Sequence, residues 1–301
     1  MARTTSLAPF LALLLAFATF TTLGLVRPQR VGALEIVCAP PATPPAATPP
    51  AATPAANVAG VASPVAFPAG GGTLTVFAGL AQTAPFDQIK ADLEAAYPGL
   101  TITYNYGTTA DQVTQLTEGA QADVFVSPGI ATAIEAGVLA GEPAIFAQTS
   151  LGIIVPKDNP AGVQSPADLA KPGLKLVLAS TEVVVGQVTR QSICKMGQDP
   201  ATYGEGFVEK VGANVVSEEA TTPEVVEKVQ GGEADAAIVY MSNVTADLIS
   251  IEIPAEVNET ATFHIAAVEG GQAELAQAFI GYVLGPDGQA TFQKFGYETK
   301  P

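Results

Sequence analysis

From Thr73 to the C-terminus, apolar runs of strand length alternate with stretches of helical periodicity, and that alternation confines the chain to sheets covered by helices. Residues 74–77, 101–106, 122–126 and 151–155 read as strands. Residues 86–97 read as a helix, with Phe86, Ile89, Leu93 and Ala96 on one face, and Gly107-Thr108-Thr109 opens the next. The strand runs are almost continuously apolar instead of alternating, as expected of parallel strands buried on both faces. A second set of the same kind follows: strands at 174–179, 214–216, 236–239, 249–253 and 262–268, and helices at 184–196, 273–284 and 287–295. The expected fold class is therefore α/β, with two units joined by strand-like crossings and a cleft between them. In such sheets ligands bind beyond the C-terminal strand ends, at helix N-termini.

Residues 217–240 hold a helix start, a helix and a buried strand in one unit. Thr221 or Thr222 suits the N-cap, because a short hydroxyl accepts from an orphan N–H of the first turn. Pro223 suits the first helical position, where a missing N–H costs nothing. Val225, Val226 and Val229 form an apolar stripe, Gly231-Gly232 ends the helix, and the following strand ends in Tyr240. A helix N-terminus and a phenol O–H can thus converge where an anion would sit. An ordinary capped unit with a core tyrosine accounts for the same residues.

Three further segments repeat the layout of strand, small or hydroxyl turn, helix: residues 78–81, 107–109 and 183–186. None of the four turns contains Lys, Arg, Asp or Glu. Hydroxyls of Thr108, Thr109, Thr222 and Tyr240 would add to the backbone N–H groups. Charge-assisted hydrogen bonds contribute about 1.5–3 kcal/mol each, so five to seven donors could hold a desolvated dianion without a cation.

Apolar residues make up 48% of the 301, enough for a sizeable core, and the formal charge of −16 argues against nucleic acid or anionic membrane as partners. The single histidine, His264, excludes a multi-histidine metal site and reads as an ordinary strand residue. Cys38 and Cys194 form no C-x-x-C; Cys194 reads as a buried thiol, with a pairing to Cys38 left open. No G-x-S-x-G occurs, and no acid–base pair falls in the expected cleft. Glu218, Glu219 and Glu224 read as a solvated face.

Residues 1–33 read as a cleavable export signal or an uncleaved membrane anchor: Arg3 precedes an apolar run from Ala8 to Val26. Cys38 invites a lipidation reading, although Glu35-Ile36-Val37 lacks the residues expected before a lipidated cysteine. Residues 34–72 are rich in Ala, Pro and Thr and read as an extended linker.

The folded region resembles the molybdate-binding proteins of bacterial ABC importers. The resemblance rests on VFAGL at Val76, YGTTADQV at Tyr106, EGAQADVFVS at Glu118, LGIIVPKDNP at Leu151, ADLAKPGLKLVLAS at Ala167, GGEADAAIVY at Gly231 and FIGYVLGPDGQATFQKFGY at Phe279. It implies a two-lobed periplasmic-binding-protein-like fold of type II, each lobe a mainly parallel sheet flanked by helices, joined by two hinge strands. Residues 73–155 and 244–301 would form the first lobe and 156–243 the second. It implies no catalysis and no cofactor, a molybdate or tungstate ligand, an ABC permease as partner, export from the cytoplasm, and a monomer. Carried over by position, the oxyanion ligands would be Gly79, Leu80 and Ala81 through N–H groups, Thr108, Thr109, the Val185 N–H, Thr222 and Tyr240. The first turn departs from the family pattern, having no hydroxyl, and Asn243 stands where the family has an acid.

Overall fold

The computed structural model describes residues 34–38 and 67–299. The expected signal or anchor at 1–33, and most of the expected linker, lie outside the described residues. In chain order the elements are β1 Gly72–Gly79, α1 Thr83–Ala96, β2 Leu100–Gly107, α2 Thr109–Thr117, β3 Val124–Ser127, α3 Ile130–Glu135 and β4 Leu139–Pro156. They continue with β5 Leu176–Ala179, α4 Val184–Gly197, α5 Pro200–Tyr203, α6 Phe207–Asn214, β6 Val215–Glu219, α7 Thr222–Gln230, β7 Ala236–Tyr240, β8 Leu248–Glu252, β9 Thr260–Val268, α8 Ala273–Leu284 and α9 Pro286–Lys294. Among the described residues no helix is long and apolar enough to cross a membrane.

The strands form two sheets that share β4. In the first, β2, β1 and β3 run parallel, and β9 and the first part of β4 add antiparallel neighbours. In the second, β6, β5 and β7 run parallel, and the end of β4 and β8 are antiparallel. Each sheet thus keeps a parallel core with helices on it, and the antiparallel strands are those that cross or border the crossing. The chain changes sheets twice. Within β4, Ser150 still pairs with Thr260 of β9, whereas Gly152 pairs with Glu252 of β8. The return path is residues 253–259, between β8 and β9. The pairing therefore puts residues 151–156 and 248–252 in the second sheet, a few residues beyond the lobe bounds read from the sequence.

The first half of β4 escapes a sequence reading because its pattern is broken. Register shifts fall between Ala140 and Ala144 and between Ile145 and Ala147, and Pro143 within the first shift gives the segment a turn-like look. Helices α5 and α6 are short and were likewise not legible.

In the first lobe, five phenylalanines lock helices onto the sheet. Phe86 of α1 meets Phe292 of α9 edge-on at 5.3 Å and Phe279 of α8 at 6.1 Å, while Phe146 and Phe263 close the cluster from β4 and β9. In the second, Val225, Val226 and Val229 of α7 bury the stripe expected of them, together with Ile193 and Met196 of α4 and Phe207 and Val211 of α6.

The segment 34–38 is not free linker. Ile36 is buried, the Leu34 N–H donates to Gly212 O at 3.2 Å, and Cys38 is bonded to Cys194 of α4. Gly212 accommodates this strap because a Cβ there would lie 2.3 Å from Leu34 O. The disulfide corrects the reading of Cys194 as a free buried thiol, and it occupies the sulfur that lipidation of Cys38 would need.

Candidate functional site

All eight residues expected to hold an oxyanion, Gly79, Leu80, Ala81, Thr108, Thr109, Val185, Thr222 and Tyr240, line one cavity of about 70 Å³ between the lobes. One water needs about 10–15 Å³ of such space, so the cavity suits a small polyatomic ion. Four helical starts border it: a 3₁₀ turn at Leu80–Gln82 that leads into α1, and the first turns of α2, α4 and α7. The first N–H groups of a helix have no partner inside it, and each terminus carries on the order of half a positive elementary charge.

In the first turn, the Leu80 carbonyl accepts from Thr83 Oγ1 at 2.8 Å, and the Ala81 carbonyl accepts from Tyr297 O–H at 2.9 Å and Asn243 Nδ2 at 3.2 Å. With those carbonyls engaged, the N–H groups are the turn's remaining valence. Asn243, in place of the family's acid, therefore ties the end of the second lobe's β7 segment to the first turn.

At α2 the hydroxyls are more committed than the sequence implied. Thr108 is the N-cap; its Oγ1 accepts from the Asp111 N–H at 3.2 Å and donates to Asp111 Oδ2 at 2.8 Å. Its proton is therefore spent on Asp111. Thr109 Oγ1 lies 2.7 Å from Ser127 Oγ, which already accepts from the Gly129 N–H at 2.9 Å. Ser127 can donate to Thr109, which leaves the Thr109 proton for the cavity.

At α7 the cap is Thr221, not Thr222: Thr221 and Glu224 form a reciprocal capping box, at 3.4 Å and 3.0 Å. Thr222 is then the first helical residue, buried, with an N–H that cannot pair within the helix. At α4 the cap is Val183, which has no side-chain acceptor, so the Val184 and Val185 N–H groups are uncapped. Gly186 lets this turn approach β5: a Cβ there would lie 1.9 Å from Ser180 O and 2.6 Å from Ala179 O. Arg190 braces the same turn, donating to Ala179 O at 2.8 Å and Gly186 O at 2.7 Å while pairing with Glu218. Burial lowers the Arg190 pKa and Glu218 opposes that shift. Glu218 is exposed, as expected of a solvated face, and is also half of an ion pair with a nearly buried arginine.

Tyr240 ends β7, is 2% exposed, and its O–H has no partner among the described residues. Burial first, and Tyr297 second, push its pKa up, so it is a neutral donor. An unpaired buried hydroxyl costs about 1–3 kcal/mol, which a ligand in the cavity would relieve.

Four lining residues lie outside the turns expected from the sequence, Gln82, Pro128, Glu182 and Ala220, and two of them are polar. Gln82 is 1% exposed and its Oε1 has no partner among the described residues. It packs so closely on Gly79 that a Cβ at that glycine would lie 2.7 Å from it. A search for hydroxyls and small residues passes over an amide. Glu182, exposed at the cavity wall, sits one residue before the turn read at 183–186. The wall therefore includes an acidic residue and a buried amide beside the small and hydroxyl residues expected. No lysine or arginine lines the cavity among the described residues.

A family profile described as bacterial extracellular solute-binding protein matches residues 74–298. The chain is 31% identical over 246 residues to a Mycobacterium tuberculosis protein named molybdate-binding protein ModA, covering 78% of this chain and 89% of that one. Among solved structures, the substrate-binding domain of a putative molybdenum ABC transporter from Clostridium difficile aligns with TM-score 0.61 and 20% identity, over 76% of this chain and 99% of that one. The sulfate-binding protein SubI from M. tuberculosis aligns with TM-score 0.64 and 17% identity, over 75% and 86%.

Proposed function

The chain belongs to the bacterial extracellular solute-binding proteins, and we propose that it captures molybdate or tungstate between its lobes and delivers the ion to an ABC permease. The observation that carries this is the convergence of four helical starts and the unpartnered Tyr240 hydroxyl on one small cavity without a cationic side chain. Such a wall neutralises a dianion through backbone dipoles, at fixed positions, without a counter-charge that would hold it too tightly for release. The 31% identity to a molybdate-binding relative supports molybdate over other tetrahedral oxyanions. The likeness to a sulfate-binding structure is one of fold and does not choose the ion. A role in binding rather than catalysis is supported by the wall's chemistry: Glu182 faces no nucleophile–base pair, and Thr108 is tied to Asp111. The Cys38–Cys194 bond fits an exported protein in an oxidising compartment.

Isothermal titration of sodium molybdate into the purified oxidised protein tests the reading. Saturable binding of one ion per chain is expected; no heat and no thermal shift would contradict it.

A further inference from the structure

The two crossings between the lobes are joined by the β4–β9 ladder up to Ser150 and the β4–β8 ladder from Gly152, and the gap between those ladders is bridged by one side chain, Asn258. Its Oδ1 accepts from the Leu151 N–H at 3.1 Å and the Glu259 N–H at 2.8 Å, and its Nδ2 donates to Leu151 O at 2.9 Å and Ile253 O at 3.2 Å. Leu151 is the residue at which β4 changes neighbour, between Ser150 paired with Thr260 and Gly152 paired with Glu252. A strand residue there would lose both ladder bonds on one side. The carboxamide, which carries one acceptor and one donor group like a peptide unit, supplies them instead.

The same segment is fixed to α4. Ser192 Oγ donates to Val257 O at 2.7 Å, Lys195 Nζ donates to Asn258 O at 3.3 Å, and Lys195 pairs with Glu259 at 2.8 Å. The first turn of α4 lines the cavity. On its other side, Leu151 pairs with Tyr240, the cavity's unpartnered donor.

We propose that Asn258 is the pivot-setting residue of the interlobe hinge. It closes the gap between the β4–β9 and β4–β8 ladders at the edge of the second lobe, so the lobes turn about the adjoining Ser150–Thr260 pair and not about a loose Leu151. The inference rests on the binding reading above for its effect on affinity, but not for its effect on lobe geometry. Without the staple the gap at Leu151 between the two ladders loosens, more lobe orientations are populated, and the fraction with all four helical starts in register falls. Apparent Kd rises as the reciprocal of that fraction.

The test compares wild type with Asn258→Ala and Asn258→Asp in the full, oxidised chain. Pairs of genetically encoded labels, one on each lobe, report the ligand-free interlobe distance distribution, and molybdate titration reports affinity. Asn258→Ala is expected to broaden the distribution and weaken molybdate binding about three- to tenfold, in line with loss of the competent fraction. Asn258→Asp keeps the acceptor and loses the donor, and is expected to fall between the two. Should the alanine variant not fold, the aspartate variant carries the comparison. An unchanged distribution alongside lowered thermal stability would make Asn258 a loop cap and overturn the proposal. If wild type binds no molybdate, the functional reading fails, and the distance distributions still decide the hinge: broadening supports it, identity refutes it.

Discussion

Tyr240 is where residue-level chemistry and the proposed function meet most closely. Replacing it with phenylalanine keeps the ring against Phe263, 5.8 Å away edge-on, and removes only the unpartnered O–H. We expect Tyr240→Phe to fold, and to weaken molybdate binding by about 1.5–3 kcal/mol, the range for a lost hydrogen bond to a charged group; calorimetry on both proteins measures it. Tyrosine protonation also has a signature in stability. Burial is the largest cause raising the pKa values of Tyr104, Tyr106, Tyr240 and Tyr297. Above the ordinary tyrosine pKa of about 10 the unfolded chain releases these protons while the folded one retains them. The stability tied to neutral tyrosine is therefore whole below that pH and is lost as pH rises above it. Thermal melts should show no change linked to these four tyrosines between pH 6 and 9 and a falling midpoint beyond pH 10, with their phenolate absorbance appearing only on unfolding. At this scale the hydroxyl and glycine positions were legible in the sequence. Gln82 was not, because nothing in an apolar helix start distinguishes a buried amide from an exposed one. Glu182 was not, because its place on the wall depends on how the chain turns before Val183.

Among the elements, α4 carries the most connected roles: its first turn lines the cavity, its last turns hold the hinge segment, and Cys194 ties it to the N-terminal strap. Its start is shaped by Gly186. Gly186→Ala places a methyl against the Ser180 and Ala179 carbonyls. We expect it to destabilise the protein by about 1–3 kcal/mol, the usual cost of overpacking, and to weaken molybdate binding by displacing the Val185 N–H. Chemical denaturation and titration separate the two effects. Cys194→Ser frees the strap, which closes a loop of sequence separation 156; a disulfide of this kind contributes about 2–4 kcal/mol. A lower melting temperature is expected, matched by adding reductant to wild type and absent when reductant is added to the variant. Helices with clean stripes and caps, such as α7, were visible from periodicity alone. The first half of β4 was not, since bulges erase its pattern, and neither was the strap: no local sequence signal pairs a cysteine beyond an Ala/Pro/Thr-rich run with one on a helix 156 residues away.

Across the whole molecule, strand–helix alternation was enough to imply two α/β units, because parallel strands need crossover helices and helix starts then gather at one sheet edge. Where the units divide was less legible, since β4 runs unbroken through both sheets and only pairing reveals the change of neighbour at Leu151. Fixed N–H groups and hydroxyls from both lobes, on this proposal, select a dianion by size and charge. Donors on helical starts cannot close in on a smaller ion without moving whole turns, so sulfate should lose contacts that molybdate and tungstate keep. Competition calorimetry with molybdate, tungstate and sulfate on the oxidised full chain tests this most directly. Molybdate and tungstate are expected to bind alike and sulfate at least tenfold more weakly, about 1.4 kcal/mol. Sulfate binding as tightly as molybdate would contradict it.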